Sequence, residues 1–245
     1  MARIKFMNTD IDNLTMAETL NEIEKLIQKK NCSYVVTPNV DHIVRLEKDE
    51  ELQKVYKNAS LILTDGKPLI WISKWYKTPI KEKISGSDLF PRVCQLAANK
   101  NYTMYLLGAA EGVADTAARN LMKKYPGLNI VGTYSPPFGF EKNEQEMNKI
   151  KTQIQDVHPD ILIVGLGCPK QENFMYYHCK ELGVPISFGL GASIDFEAGN
   201  IKRAPKWMSN HGLEWLYRFS KEPKRLFKRY FVDDLKIIQV ARKYR

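Results

Sequence analysis

The chain has 245 residues, 44% of them hydrophobic, and a formal net charge of +9 at pH 7. That apolar content supports a full core and excludes a disordered chain. No stretch reaches the roughly 20 continuous apolar residues that span a bilayer, which excludes a helical membrane channel or carrier.

The N-terminus, MARIKFMNTDIDNL, lacks the apolar central segment of a signal peptide, so a cytoplasmic protein is expected. Cys32, Cys94, Cys168 and Cys179 form no C-x-x-C pair and have no zinc-like spacing. They read as reduced thiols in core or surface positions. The charge is unevenly placed. Residues 201–245 hold 13 Lys/Arg against 4 Asp/Glu, the whole excess of +9, while the first 200 residues sum to zero. Such asymmetry points to a tail that meets an anionic surface.

In chain order, Thr15 with Glu18 three residues on is a capping-box signature. Met16, Leu20, Ile23 and Ile27 then recur at helical spacing. A strand, Tyr34–Val36, ends at Thr37-Pro38-Asn39, and a second helical pattern runs from Ile43 to Tyr56. Further strands are expected at 61–63, 103–107, 129–134, 160–165 and 185–188, with helices at 112–124, 143–156 and 170–182. Apolar runs alternating with amphipathic helices describe an α/β fold with a mostly parallel sheet flanked by helices, in the Rossmann-like manner. The expected organisation is an α/β catalytic domain over residues 1–200 and a basic, aromatic-rich helical appendage over 201–245.

Open α/β sheets bind ligands beyond the carboxyl ends of their strands. Those ends read TPNVDH (37–42), TDGKP (64–68), LLGAA (106–110), GLGCPKQE (165–172) and GLGASIDF (189–196). Glycines there allow close backbone approach, and following helix starts favour phosphate. Asp65 stands where the apolar run Leu61-Ile62-Leu63 stops, so a carboxylate occupies a position where chemistry is usually done. It reads either as a general base or as a helix N-cap beside Gly66. Asn39 and Thr37 read as ligand-binding groups or as caps of the helix that follows. Gly108, Gly165, Gly167 and Gly191 read as close backbone approach to a ligand or as turn geometry. Asp195 reads as a substrate ligand or a loop cap.

In the tail, Leu226, Phe227, Tyr230, Phe231, Leu235 and Ile238 can share one helical stripe, with Lys221, Lys224, Arg225, Lys228 and Arg229 opposite. This is the pattern of a helix in a membrane interface, or of a helix packed on its own domain.

The stretches TPNVDH, LILTDGKPLIW, KISGSDL, MYLLGAA, ILIVGLGCPKQE, GLGASIDFEAGNIKRAP and GLEWLYRFSKEPKR resemble the WecG/TagA/CpsF family of bacterial glycosyltransferases (glycosyltransferase family 26), in family order from about residue 34 to 229. The resemblance implies an inverting enzyme that moves a sugar from a UDP-sugar to a polyprenyl-diphosphate-linked saccharide in cell-surface polysaccharide synthesis. It implies a cytoplasmic protein, peripheral on the inner face of the membrane, with no metal or other cofactor and a possible homo-oligomer. The family's proposed base becomes Asp65, with Thr37 and Asn39 in the same pocket and Gln171 as a further site residue. A family arginine before G-x-D-L is Lys83 here, which keeps the charge but loses the bidentate fork. Tail arginines that reach the diphosphate correspond to Arg218 and Arg225, with Lys228 or Arg229 as the third. Lys67-Pro68-Leu69 resembles the exopolysaccharide branch more than the teichoic-acid branch. UDP-glucose, UDP-N-acetylmannosamine and a uronic acid relative all stay open as donors.

Two rival classes fare worse. A nucleotide-cofactor oxidoreductase wants G-x-G-x-x-G after its first strand, and TPNVDH has no glycine. A nucleic-acid module would use the basic aromatic tail, but it leaves Asp65, Gln171 and the neutral first 200 residues without a role, so no nucleic-acid partner is expected. Asp10-Ile11-Asp12 has the form of a metal-binding Asp-x-Asp, but it precedes the first helix, away from the strand ends, and is discounted.

Overall fold

The computed structural model describes residues 3–245, the side chains of Lys206, Asn210 and Arg225 excepted. The chain opens with an antiparallel hairpin, β1 (Arg3–Phe6) and β2 (Thr9–Asp12). It continues through α1 (Met16–Lys29), β3 (Ser33–Val36), α2 (Val40–Arg45), α3 (Glu50–Lys57), β4 (Leu61–Ile62), α4 (Lys67–Trp75) and α5 (Gly86–Lys100). Then β5 (Thr103–Gly108), α6 (Val113–Lys124), β6 (Asn129–Tyr134), α7 (Glu144–Val157), β7 (Ile161–Gly165), α8 (Lys170–Leu182), β8 (Ile186–Gly189) and α9 (Ser193–Ala198) alternate. The C-terminal stretch holds α10 (Lys206–Asn210), α11 (Glu214–Lys221), α12 (Pro223–Lys228), a π-helical turn (Arg229–Asp233), a 3-10 turn (Asp234–Lys236) and α13 (Ile237–Lys243).

The chain divides into two units. One comprises Met16–Val36 and Gly86–Ile201. Its strands run in the order β3-β8-β7-β5-β6, and every neighbouring pair is parallel. Ile161 pairs with Met104 on one side and Ile186 on the other, so the register aligns all three strand ends. β3, β8 and the first four residues of β7 are buried throughout. Such strands read as continuous apolar runs because helices cover both faces of a parallel sheet. This is the α/β fold that the alternating pattern predicts.

The other unit comprises the stretch up to Thr15, Thr37–Ser85 and Lys202–Arg245. The C-terminal residues thus belong with the segment that carries Asn39 and Asp65, and Leu226, Val240 and Ala241 are buried there. Asp12 anchors the unit's N-terminus. Its buried carboxylate takes both forks of the Arg3 guanidinium, at 2.9 and 2.8 Å, and the Ile62 N–H at 2.9 Å. Asp10-Ile11-Asp12 therefore works as a structural brace for β4. The last helix is tied down by the Tyr76 hydroxyl, which donates to the Ala241 carbonyl at 2.6 Å, and by Lys243 with Glu47 at 2.8 Å.

The tail departs from the single expected stripe. The helical path changes type at Arg229, so Leu226 is buried while Phe227, Phe231, Leu235 and Ile238 stay exposed. Phe219, Phe227 and Phe231 instead pack edge and face against one another, with centroids 5.2 to 6.5 Å apart.

Candidate active site

After β4 the chain turns sharply. Gly66, at φ 97°, takes a conformation that side-chain-bearing residues rarely adopt, and it occupies the N-cap position of α4, with Pro68 in the first turn. Asp65 is therefore not the N-cap. Its backbone N–H donates to the Pro38 carbonyl at 2.8 Å, which fixes it against the loop that carries Asn39. Ile84 N–H holds the Thr64 carbonyl at 2.8 Å and draws in the loop that carries Lys83. Three loops distant in sequence are thus stitched at their backbones.

These loops and the C-terminal helices enclose a cleft of about 350 Å³, the size of a small-ligand site. Asn39, Asp65, Lys67, Lys83, Arg218 and Arg229 supply its polar lining. Val40, Pro68, Trp215, Tyr230, Phe231, Leu235 and Ile237 supply an apolar wall. Four cations face three carboxylates, since Glu214 and Asp234 also line it.

Each polar group is held by its own element. Asn39 caps α2: its side-chain oxygen accepts from His42 N–H, and His42 Nδ1 accepts from Asn39 N–H, both at 3.4 Å. The capping reading of Asn39 is correct, and the same oxygen also lies 3.5 Å from Arg229 Nη2. Lys83 donates to Ser85 Oγ at 3.3 Å. Arg218 pairs with Glu214 one turn earlier on α11, at 2.9 Å. Arg229 lies 4.0 Å from Asp41 and 3.9 Å from Asp234. Burial pushes the Asp234 carboxyl up to about 6, and Asp41 and Asp233 push in the same direction against Arg229 and Arg45.

Of the other candidates in this unit, Thr37 is buried two residues before Asn39 and Lys228 is exposed; neither is among the described lining residues. The Arg225 side chain lies outside the described residues. Lys67, Trp215, Tyr230 and Asp234 line the cleft without having been singled out as site residues. Tyr230 belongs to the aromatic stripe, and its role there masked a place at the site.

The remaining candidates lie at the carboxyl ends of β5, β7 and β8 in the other unit. A Cβ on Gly108 would lie 2.4 Å from the Gly165 oxygen, and one on Gly165 would lie 3.0 Å from the Gly191 oxygen. These two glycines let strands and loop close on each other. Gly167 and Gly191 have positive φ and open space on that side. Gln171, in the first turn of α8, is 3% exposed. It accepts Gly191 N–H at 3.0 Å and donates to Glu172 at 2.8 Å, which clamps the Gly191 loop to α8. Asp195, in α9, accepts the Ile201 N–H through its carbonyl at 3.4 Å.

Comparison with known proteins gives these elements their context. Residues 4–245 match the model of the glycosyl transferase WecG/TagA/CpsF family. The chain belongs to that family. Three similar relatives are described as N-acetylglucosaminyldiphosphoundecaprenol N-acetyl-beta-D-mannosaminyltransferases. The one from Bacillus subtilis (strain 168) is 30% identical over 87% of this chain and 81% of its own length. That from Bacillus spizizenii is 31% identical over 81% of this chain and 75% of its own. That from Staphylococcus aureus (strain MW2) is 27% identical over 92% and 87%. As a WecG/TagA/CpsF glycosyltransferase, the chain acts on sugars, and the cleft beside Asp65 is its candidate active site. No helix among the described residues is long and apolar enough to cross a membrane.

Proposed function

We propose that this chain is an inverting, UDP-sugar-dependent glycosyltransferase that extends a polyprenyl-diphosphate-linked saccharide, with Asp65 as the general base. The observation that carries the reading is the cleft itself: one carboxylate at a strand end, Lys83, Arg218 and Arg229 around it, and an apolar wall beside them. In the reaction, the acceptor hydroxyl oxygen attacks the anomeric carbon and gives its proton to Asp65. The bond from that carbon to the diphosphate oxygen breaks, and UDP leaves with the electron pair. Cationic groups stabilise the negative charge on the departing diphosphate, which is where electrostatic catalysis gives most. The scheme needs no metal or redox cofactor, because Lys83 and the arginines supply the positive charge.

The acceptor class follows the relatives' names, which specify an N-acetylglucosaminyl-diphosphoundecaprenol. Those names also put N-acetylmannosamine first among donors to test, ahead of glucose and uronic acid relatives. Residues 1–200 would supply the base, Lys83 and the strand-end loops. Residues 201–245 would complete the site and hold the protein on the anionic inner face of the membrane, where a lipid-linked acceptor is met. A donor screen with a short-chain lipid-diphosphate-sugar acceptor tests the whole reading. Turnover with one UDP-sugar, lost in Asp65→Asn with UDP binding kept, is the expected result. A folded protein that releases UDP from no donor would overturn it.

A further inference from the structure

Arg229 and Asp234 are five residues apart, a spacing that does not face on an ordinary helix. At 3.6 residues per turn, five residues rotate about 500°, which leaves the second side chain about 140° round from the first. Here the backbone is π-helical from Arg229 to Asp233, and Asp234 N–H donates to the Arg229 carbonyl. The wider turn brings residue 234 back over residue 229, and Arg229 Nε lies 3.9 Å from Asp234 Oδ2. Arg229 Nε and Asp234 Oδ1 are both buried, and neither has a hydrogen-bond partner among the described residues. Both residues line the cleft beside Asp65. Single π turns are rare and recur at functional sites.

The other carboxylate near this guanidinium is already engaged. Asp41 pairs with Arg45 at 3.0 Å and lies 4.0 Å from Arg229. Asp234 is thus the acid that addresses the Nε edge, while Nη2 lies toward Asn39 and the cleft.

We propose that Asp234 is a positioning residue for Arg229: the π turn sets its carboxylate behind the guanidinium, so that the outer edge of Arg229 meets the diphosphate of the ligand. The diphosphate assignment rests on the proposed glycosyl-transfer reading. A planar guanidinium binds phosphate oxygens well only when its plane is fixed. Without the carboxylate behind it, only the Nη2 side is held, by Asn39 and Asp41, and the plane is less firmly fixed.

Charge arithmetic and positioning predict opposite signs here. Removing an acid from an anion site strengthens anion binding if only net charge matters. Removing a positioning acid weakens it.

The test is calorimetric binding of inorganic pyrophosphate to the full chain, to Asp234→Asn, to Arg229→Gln and to the double variant. Thermal melts are run on each to confirm folding. Asp234→Asn is expected to weaken binding on the order of tenfold, within the range for residues that share one charge network. The double variant is expected to bind no worse than Arg229→Gln alone, and Asp234→Glu to recover part of the loss. The wild-type advantage over Asp234→Asn should also vanish as pH falls below about 6, since Asp234 is then neutral in the parent too. The groups that face Asp234 are Arg229 and Asp233 on its own segment and Asp41 and Arg45 on α2. Unchanged or tighter binding in Asp234→Asn, multiplicative losses in the double variant, or no pyrophosphate binding by the parent would each overturn the proposal. Failure of every donor in the turnover screen, with pyrophosphate binding and its coupling intact, would overturn the glycosyl-transfer reading and leave the pairing of Asp234 with Arg229 standing.

Discussion

Asp65 and Pro38 are joined by a 2.8 Å backbone hydrogen bond, from the aspartate N–H to the proline carbonyl. The bond ties the loop after β4 to the loop after β3. A base has to sit within hydrogen-bond reach of the proton it removes, so its backbone is better fixed than free.

Replacing Asp65 with Asn keeps that backbone bond and the side-chain shape, and removes only the proton acceptor. The expected loss in kcat is about 10²–10⁴-fold, the usual worth of a positioned base. UDP affinity, measured by calorimetry, should stay near that of the parent. A loss of UDP binding together with kcat would move Asp65 from base to binding group.

Asp12 makes a stability prediction. Its buried carboxylate holds Arg3 and the Ile62 N–H, so Asp12→Ala strands a buried donor and leaves Arg3 only the Ala59 and Ser60 carbonyls. Breaking a buried pair from one side costs roughly 3–5 kcal/mol. The low end applies, because Arg3 keeps some contact with water. Chemical denaturation should show it as a fall in midpoint with little change in slope.

Gly108→Ala tests the strand ends of the other unit. The new Cβ would lie 2.4 Å from the Gly165 oxygen at φ +119°. Neither the backbone conformation nor the neighbouring backbone can yield cheaply, so a loss of about 3 kcal/mol is expected. Gly167→Ala, at φ +77° with open space around it, should cost less. Equal melting temperatures for the two variants would sink this account.

Much of the fold was legible. α6, α7, α8, β7 and β8 lie within a residue of their expected bounds, because their apolar periods are unbroken. The β1–β2 hairpin was not, since it turns through Met7-Asn8, with Met7 at φ 50°, and shows no Asn-Gly signature. α4 is apolar on several sides, and α5 carries Pro91 inside it, so neither announces a helix. In the tail, the 3.6-residue period assumed for the stripe fails at the π turn, which no local signal marks. The site divides likewise. Asn39 and Asp65 stand in motifs at strand ends, and Lys83 stands just before the G-x-D-L segment that opens α5. Asp234, an acid among many lysines, reads in sequence as ordinary solvated charge.

Asp234 also carries a pH dependence of stability. Burial raises its folded value to about 6, above the ordinary carboxylate range, so the folded state binds a proton more tightly than the unfolded chain does. Stability from this group therefore falls as pH rises from about 4 to 6, and the cost stays in place above 6. Asp234→Asn removes a buried charge that is costly at pH 7.5 and already neutral at pH 4.5. Its melting temperature relative to the parent should be more favourable at pH 7.5 than at pH 4.5. The opposite order would mean that attraction to Arg229 outweighs burial.

The exposed part of the tail gives the last prediction. Phe227 is 57% and Leu235 55% exposed, with Phe231 and Ile238 also open to solvent. Lys221, Lys224 and Lys228 stand exposed nearby in sequence. Aromatic and aliphatic groups beside lysines suit an anionic lipid surface, where each basic residue contributes about 1 kcal/mol. Flotation with vesicles rich in anionic lipid should carry the parent protein upward, and neutral vesicles should carry much less. Phe227→Ser with Leu235→Ser removes buried apolar contact with lipid but leaves every charge, so flotation should weaken at all salt concentrations. Lys221→Gln, Lys224→Gln and Lys228→Gln together should instead abolish the difference between anionic and neutral vesicles. Flotation of both variants like the parent would leave these side chains as ordinary surface and place membrane attachment elsewhere.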